Sequence, residues 1–320
     1  MSLSLEALQK QIESADDLYS IVSTMKALAA TSVRQYERAS ESLDAYFHTV
    51  QMGLSVVLES RTEEPSLSSE QFRPVAAIIL GSDHGLVGRF NEQITSYALE
   101  EYWFGKGEET GVASLDGIVL AAGEQVATRA MAAGVDLTDA ISMPSSIAAI
   151  TPFVQSMLER IEGWRSRDEI RRVILFYNRP QAGGFSPRAE TLLPIRLEDL
   201  RRTRLRWQSR SLPTFTMSAE DLLSALLRQY FFVAVYRACA QSLAAENMSR
   251  LMAMQGAEKS IDERLESLRA RFQQGRQNAI TEELLDIVSG FKSIRDKRDA
   301  PDLQQPRGNL QVVQSSYSKR

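Results

Sequence analysis

Apolar residues recur at alternating steps of three and four along the first part of the chain. From Leu5 to Val57 this spacing is kept for about seven heptads, and only Lys26 and Ser40 interrupt the apolar seam. A seam of three or four heptads already indicates a coiled-coil helix. The pattern therefore predicts one long helix near residues 4–59.

A second long seam lies in the last third of the chain. Its positions are Ile261, Leu265, Leu268, Phe272, Ile280, Leu284, Ile287, Phe291 and Ile294. They predict a helix over 218–295, and two seams so far apart in sequence bury their stripes most simply against each other as an antiparallel coiled coil. At 1.5 Å per residue the two helices would be roughly 80 and 115 Å long. The second helix is thus expected to project beyond the first.

The residues between the two seams show short apolar runs that alternate with helical segments. The predicted strands are 75–80, 117–122, 172–177 and one around 190–195. The predicted helices are 88–103, 124–133 and 147–164. Such alternation is typical of a parallel sheet with helices on both faces. The fold class is therefore α/β, a central Rossmann-like domain with a mostly parallel sheet, joined to a long antiparallel coiled coil of N- and C-terminal helices.

The same patterns divide the chain into regions. They are a coiled-coil shaft at 1–60 and 218–295, an α/β domain at 75–197, linkers at 61–74 and 198–217, and a tail at 296–320. The tail contains Pro301, Pro306 and Gly308 among many polar residues, and we predict it to be disordered.

Composition removes several classes of function. The net charge of -4 over 320 residues gives no basic excess for nucleic acid, and no apolar run approaches the ~20 residues of a membrane span. One cysteine, Cys239, and two histidines, His48 and His84, supply little for a metal site or a histidine-based catalytic cluster. We expect a cytosolic chain without cofactor, metal, nucleic acid or direct membrane insertion.

A glycine-rich segment, 81–88, follows a predicted strand and opens a predicted helix, where open α/β sheets bind ligands. It matches neither the dinucleotide fingerprint nor a P-loop. A structural turn built on Asp83 and Gly85 is the favoured interpretation, and a ligand loop is the alternative. Asp83 and His84 as a catalytic pair are disfavoured, because adjacent side chains on a turn usually point apart.

Two further features have competing interpretations. The Gly183-Gly184 pair could cradle a phosphate, but it lies between two strand-like runs, which favours a hairpin or loop. Met248, Met252 and Met254 could form an adaptable binding surface, but their helical spacing favours packing.

Several segments resemble one family in the same order along the chain. They are 21–30, 83–86 with Asn91, Tyr177-Asn178, 192–194, 250–254 and 276–290. Together they are similar to the gamma subunit of F-type ATP synthases over roughly residues 5–294. Departures such as Thr216-Met217, where the family commonly has a carboxylate-proline pair, suggest a divergent bacterial branch of the alternative or N-type.

The resemblance implies a central-stalk rotor that binds alpha and beta subunits, an epsilon subunit and a membrane rotor ring, at the cytoplasmic face of the bacterial inner membrane. Such a chain couples ion flow to ATP synthesis or hydrolysis and is not an enzyme by itself. The residues it assigns to the alpha/beta interface are Met25, Arg250, Arg276, Gln277, Thr281, Glu282, Leu284 and Val288. Two other classes stay open: a coiled-coil scaffold, and an α/β enzyme with helical oligomerisation arms.

Overall fold

The computed structural model describes residues 4–59, 75–103, 117–195 and 214–298. Its helices are α1 (Leu5–Ser42), α2 (Asp44–Glu59), α3 (Phe90–Ala98, extended by the π-helical turn Leu99–Trp103), α4 (Glu124–Ala132), α5 (Ile147–Arg167) and α6 (Ala219–Arg298). Its strands are β1 (Val75–Leu80), β2 (Gly117–Ala122), β3 (Asp139–Ile141), β4 (Arg172–Gln181) and β5 (Gly184–Leu193). Linker 61–74, most of linker 198–217 and all but the first residues of the predicted tail lie outside the described residues.

The five strands form one sheet in the order β3-β2-β1-β4-β5. The pairs β1–β2, β1–β4 and β2–β3 are parallel, and β5 runs antiparallel to β4. The mostly parallel sheet is thus confirmed. Ala182 and Gly183 form the two-residue turn between β4 and β5, with a φ of 83° at Gly183, and Gly184 opens β5, which confirms the hairpin interpretation.

The strand prediction was incomplete at both edges of the sheet. β3 was missed because three residues, of which only Ala140 and Ile141 are apolar, give no readable periodicity. β5 begins at Gly184, well before the predicted start near 190, because an edge strand tolerates Ser186, Pro187 and Arg188.

The prediction of one continuous first helix was wrong at Leu43, which separates α1 from α2. Ser42 Oγ donates to the carbonyl of Ala39 at 2.9 Å, and the Leu43 N–H donates to the Ser40 carbonyl at 3.2 Å, three residues back instead of four. Serine hydroxyls compete in this way with the helical ladder. The apolar seam continues into α2 nonetheless, since Val50 and Leu54 are buried.

The chain divides into two compact units, and the larger is Asp17–Asp262. One face of its sheet packs on α5 and α6 through residues such as Leu120, Leu175, Met157, Val235 and Leu243. The other face packs on α3 and α4 through residues such as Ile79, Phe176, Ile94 and Val126. Within this unit α1 and α2 pair antiparallel with α6, as the contacts Lys26–Glu258 and Asp44–Arg237 show.

The smaller unit contains Met1–Asp16 and Glu263–Arg320. Its described residues bury Leu8 and Ile12 on α1 and Leu265 and Leu268 on α6. Asp16 pairs with Arg269 at 3.1 Å, and a Cβ placed on Gly275 would lie 3.2 Å from Leu5. Four of the seam positions predicted from the sequence are thus buried in this unit, whereas the predicted seam positions Ile280, Leu284, Ile287 and Phe291 are exposed. Whether the predicted shaft and domain boundaries are also functional divisions stays a prediction.

No helix among the described residues is long and apolar enough to cross a membrane.

Candidate functional site

The last described turns of α6 form a bare helix face. Beyond Gly275 every residue from Arg276 to Lys292 is exposed. The large apolar side chains of this segment are between 50% and 71% exposed, and they are Ile280, Leu284, Leu285, Ile287, Val288 and Phe291. Leu284, Ile287, Val288 and Phe291 recur at steps of three and four, which places them along one side of the helix. We call the six exposed apolar residues from Ile280 to Phe291 the tip stripe.

The polar residues predicted to bind a partner lie on the same segment. Arg276, Gln277, Thr281 and Glu282 are all exposed. The Thr281 hydroxyl donates to the Gln277 carbonyl at 2.9 Å, so its proton is used within the helix while its oxygen can still accept. The structure therefore brings six of the eight predicted interface residues together on one exposed helix end.

A second exposed apolar stripe lies on α1 within the larger unit. Leu18, Ile21 and Leu28 are between 54% and 65% exposed, and Met25 is half-buried between them. The spacing of three, four and three puts these four residues on one helix face, one position before the buried seam. Met25 is thus the least exposed of the four residues in this stripe. It is also the only one of the four that the sequence analysis predicted as an interface residue.

Arg250 lies in a different environment from the other predicted interface residues. Its side chain is 15% exposed, and its Nη2 lies 2.7 Å from Glu246 Oε1 while its Nη1 donates to Asn247 Oδ1 at 3.3 Å. Sequence reasoning missed Glu246, although a glutamate four residues before an arginine on a helix is the signal of an ion pair. Burial raises the pKa of Glu246, while the Arg250 charge opposes that rise.

The segment 81–88 joins β1 to α3 through a network of bonds within the chain. Asp83 Oδ1 accepts from the Glu124 N–H at 3.1 Å, and Asp83 Oδ2 accepts from the Met143 N–H at 3.0 Å. Ser82 N–H donates to Asn91 Oδ1 at 3.0 Å. Both carboxylate oxygens of Asp83 thus bind backbone, which ties the turn to the start of α4 and to the segment after β3.

Gly81 and Gly85 in this turn differ in whether their positions have room for a side chain. A Cβ on Gly81 would lie 2.3 Å from Val126 Cβ and 2.7 Å from Asn91 Oδ1, so only glycine fits there. A Cβ on Gly85 would meet nothing within 4 Å. His84 is exposed, and its carbonyl accepts from Ser82 Oγ at 2.9 Å. Nothing in this geometry poises Asp83 and His84 as an acid–base pair.

An open groove of about 1260 Å³ lies between α5, the end of β5 and the start of α6. Among the described residues that line it, the charged ones are Glu159, Glu162, Arg165, Glu220 and Arg228, and none is a histidine or cysteine. The described residues also contain no group of three His, Cys, Asp or Glu side chains that could hold a metal ion.

The three methionines of α6 differ in burial. Met254 is buried, Met248 is half-buried and Met252 is exposed. Packing thus accounts for Met254, whereas Met252 adds to the exposed apolar surface.

Two long paired helices flank an α/β sheet domain in the sequence, and both helices carry exposed apolar stripes. The turn after β1 uses its carboxylate to bind backbone N–H groups. These features define a protein that works by binding other chains. The family model described as ATP synthase matches residues 4–294. The chain therefore belongs to the ATP synthase family.

Relatives agree on which member of that family it resembles. The ATP synthase gamma chain of Bdellovibrio bacteriovorus is 27% identical over 305 residues, which covers 91% of this chain and 99% of the relative. The ATP synthase gamma chain of Neisseria meningitidis is 27% identical over 309 residues, with 92% and 100% covered. The likeness thus extends over nearly the whole gamma chain.

Solved structures share the fold. A chain in the mitochondrial ATP synthase of Euglena gracilis, in rotational state 3, has a TM-score of 0.62 at 16% identity and covers 95% of this chain and 98% of its own length. A chain in the central stalk and c-ring structure of the Tetrahymena thermophila mitochondrial ATP synthase has a TM-score of 0.51 at 20% identity, with 74% and 99% covered.

Proposed function

We propose that this chain is the central-stalk rotor, or gamma, subunit of an F-type ATP synthase, in a divergent bacterial branch. It couples ion flow through a membrane rotor ring to ATP synthesis or hydrolysis in a ring of alpha and beta subunits. It catalyses nothing itself. The complex is membrane-associated, and the chain lies peripherally at the cytoplasmic face of the bacterial inner membrane, where it also contacts an epsilon subunit.

The observation that carries this proposal is the tip stripe. Six large apolar side chains within about three helical turns are exposed in the chain alone, which is typical of a surface that another protein covers. Leu284 and Val288 supply apolar contact to the surrounding ring. Arg276, Gln277, Thr281 and Glu282 supply polar contacts that depend on the angle at which the helix faces each beta subunit.

Coupling follows from the asymmetry of that contact. A single helix inside a ring of three similar catalytic sites touches each of them differently. A rotor shifts the equilibrium of a site only by the difference in its contact free energy between the states of that site. Rotation therefore moves each site through its nucleotide-binding states in turn, and the chain needs no nucleotide of its own.

Truncation tests the role of the tip. We assemble the complete complex of the same source, including its membrane rotor ring, with the chain truncated after Arg276, and measure ATP-driven ion pumping per ATP hydrolysed in membranes. Pumping per ATP is expected to fall several-fold, because the removed residues hold the tip stripe. Truncation after Arg298 removes only the remaining residues and is the matched control. Unchanged coupling in the shorter chain would contradict the assignment of the tip.

Point variants distinguish a loss of binding at the tip stripe from a loss of folding stability. Leu284→Asp with Val288→Asp is expected to leave the thermal unfolding of the isolated chain unchanged, because both side chains are exposed, and to weaken its copurification with alpha and beta subunits. Glu283→Gln, at an exposed position outside the assigned contacts, is the control. A chain that forms a stable scaffold of its own and never copurifies with these subunits would contradict the rotor role.

A further inference from the structure

A polar cluster lies inside the helical part of the larger unit. Its centre is the ion pair between Glu246 and Arg250 on α6, whose side chains are 9% and 15% exposed. Asn247 accepts a second bond from the same guanidinium at 3.3 Å. Among the described residues, Arg250 donates through two of its five N–H groups, and 15% of its side chain remains exposed.

Electrostatic interactions connect this pair to groups on three segments of the chain. Tyr36 lies on α1, Asp83 and His84 lie on the turn between β1 and α3, and Cys239 lies on α6 itself. Ser249 Oγ donates to the Val87 carbonyl at 2.5 Å and so fixes this part of α6 to the turn. The pair is thus held in a frame built from three separate segments of the chain.

A guanidinium fixed in this way differs from a free surface arginine. A free arginine has to give up rotamer freedom when it binds, whereas one already bonded to a buried carboxylate has given up much of it on folding. Its planar fork matches a carboxylate in bidentate geometry, so an acidic side chain is the natural partner for the remaining donors.

We infer that Glu246 is a positioning residue, which holds the Arg250 guanidinium in the orientation in which it binds an acidic side chain of the alpha/beta ring. This inference rests on the proposed rotor function and names a residue that acts through Arg250 rather than by touching the ring. Asn247 supports the same orientation from the next position of the helix.

The Glu246–Arg250 pair also makes the binding of Arg250 to the alpha/beta ring depend on pH. Burial raises the pKa of Glu246, so its carboxylate takes up a proton more readily than an exposed glutamate as the pH falls. A neutral Glu246 no longer holds Arg250 by charge. The wild-type chain at low pH should therefore behave like Glu246→Gln, in which that charge is absent at every pH.

The test uses the full complex with wild type, Glu246→Gln, Arg250→Ala and the double variant, and measures ion pumping per ATP between pH 5 and 8. Near pH 8, Glu246→Gln is expected to lower coupling by about tenfold or less. That difference should shrink toward none as the pH falls, and it should be absent when Arg250 is already alanine. His84→Gln removes the other titrating group on the turn and must leave this convergence in place.

Each outcome has one meaning. If Arg250→Ala leaves coupling unchanged, the ring contact of Arg250 is wrong, and the positioning role of Glu246 is overturned with it while the tip assignment stands. If Arg250→Ala lowers coupling but the effects of the two single variants multiply in the double variant, the positioning role alone is overturned. Glu258→Gln, which neutralises a carboxylate paired with Lys26 instead, is the control whose effect should multiply with that of Arg250→Ala.

Arg250→Lys keeps the charge and loses the planar fork, so it remains informative if Glu246→Gln fails to assemble. It is expected to lower coupling by a similar factor. Coupling equal to wild type with lysine would overturn the positioning role, because a point charge needs no fixed orientation.

Discussion

Lys26 of α1 donates to both carboxylate oxygens of Glu258 on α6, at 2.6 and 2.5 Å. The lysine occupies one of the two seam positions that are not apolar. Ser40, the other one, accepts from Gln241 Nε2 of the same facing helix at 3.4 Å. Each polar residue in the seam thus has a polar partner directly across it, and such pairs specify how two helices align.

Reversing the charge at Lys26 is expected to destabilise the chain. Lys26→Glu places two carboxylates together in a partly buried seam, and we expect the free energy of unfolding to fall by about 1 to 3 kcal/mol, less than for a fully buried pair. Urea unfolding of the isolated chain measures it. The exchanged pair Lys26→Glu with Glu258→Lys should recover most of the loss, and recovery of none would contradict a specific pair.

Alanine at two glycines of the same turn should have opposite consequences. Gly81→Ala forces its Cβ against Val126 and Asn91, and we expect a loss of about 1 to 3 kcal/mol from overpacking. Gly85→Ala meets open space and should change the melting temperature little. Calorimetry of the two variants side by side checks this contrast, and equal effects would contradict the packing described for Gly81.

Asp83→Ala should loosen the carboxyl-end edge of the sheet. It leaves the N–H groups of Glu124 and Met143 without their acceptor, and we expect a loss of about 1 to 3 kcal/mol. Asp83→Asn retains one acceptor oxygen and should fall between alanine and wild type. Hydrogen exchange at the two amides reads the effect locally. His84→Ala is the neighbouring control, and an equal effect there would argue against the carboxylate bonds.

The raised pKa of Glu246 sets the sign of a change in stability with pH. A folded-state pKa above the unfolded one means that the folded chain binds the proton more readily between the two values. The free energy of unfolding of wild type, relative to Glu246→Gln, should therefore fall as the pH rises through that window and level off above it. Chemical unfolding at a series of pH values measures this difference. A relative stability that rises over the same window would contradict the burial of Glu246.

Periodicity predicted the long elements because burial in a coiled coil repeats with the helix. Leu8, Ile12, Val33 and Val50 lie at positions of the three-and-four spacing that begins at Leu5, and all of them are buried. The exposure of the last turns of α6 also followed from the sequence, since a longer helix must outrun a shorter partner. These features depend on residues near each other in sequence, which is why a single chain shows them.

Features that depend on distant segments were beyond the pattern. The carboxylate of Asp83 bridges to residues 41 and 60 positions away. The burial of Arg250 depends on the turn that packs over α6. Topology, not local sequence, decides each of these.

The tip stripe has a consequence for the life of the chain outside any complex. A helix that exposes six large apolar side chains to water tends to self-associate or to bind other exposed apolar surfaces. A newly made copy is therefore safest when its binding partners are already at hand. We therefore expect synthesis of this chain to be matched in amount and timing to that of its partners, and surplus copies to be substrates for chaperones and proteases.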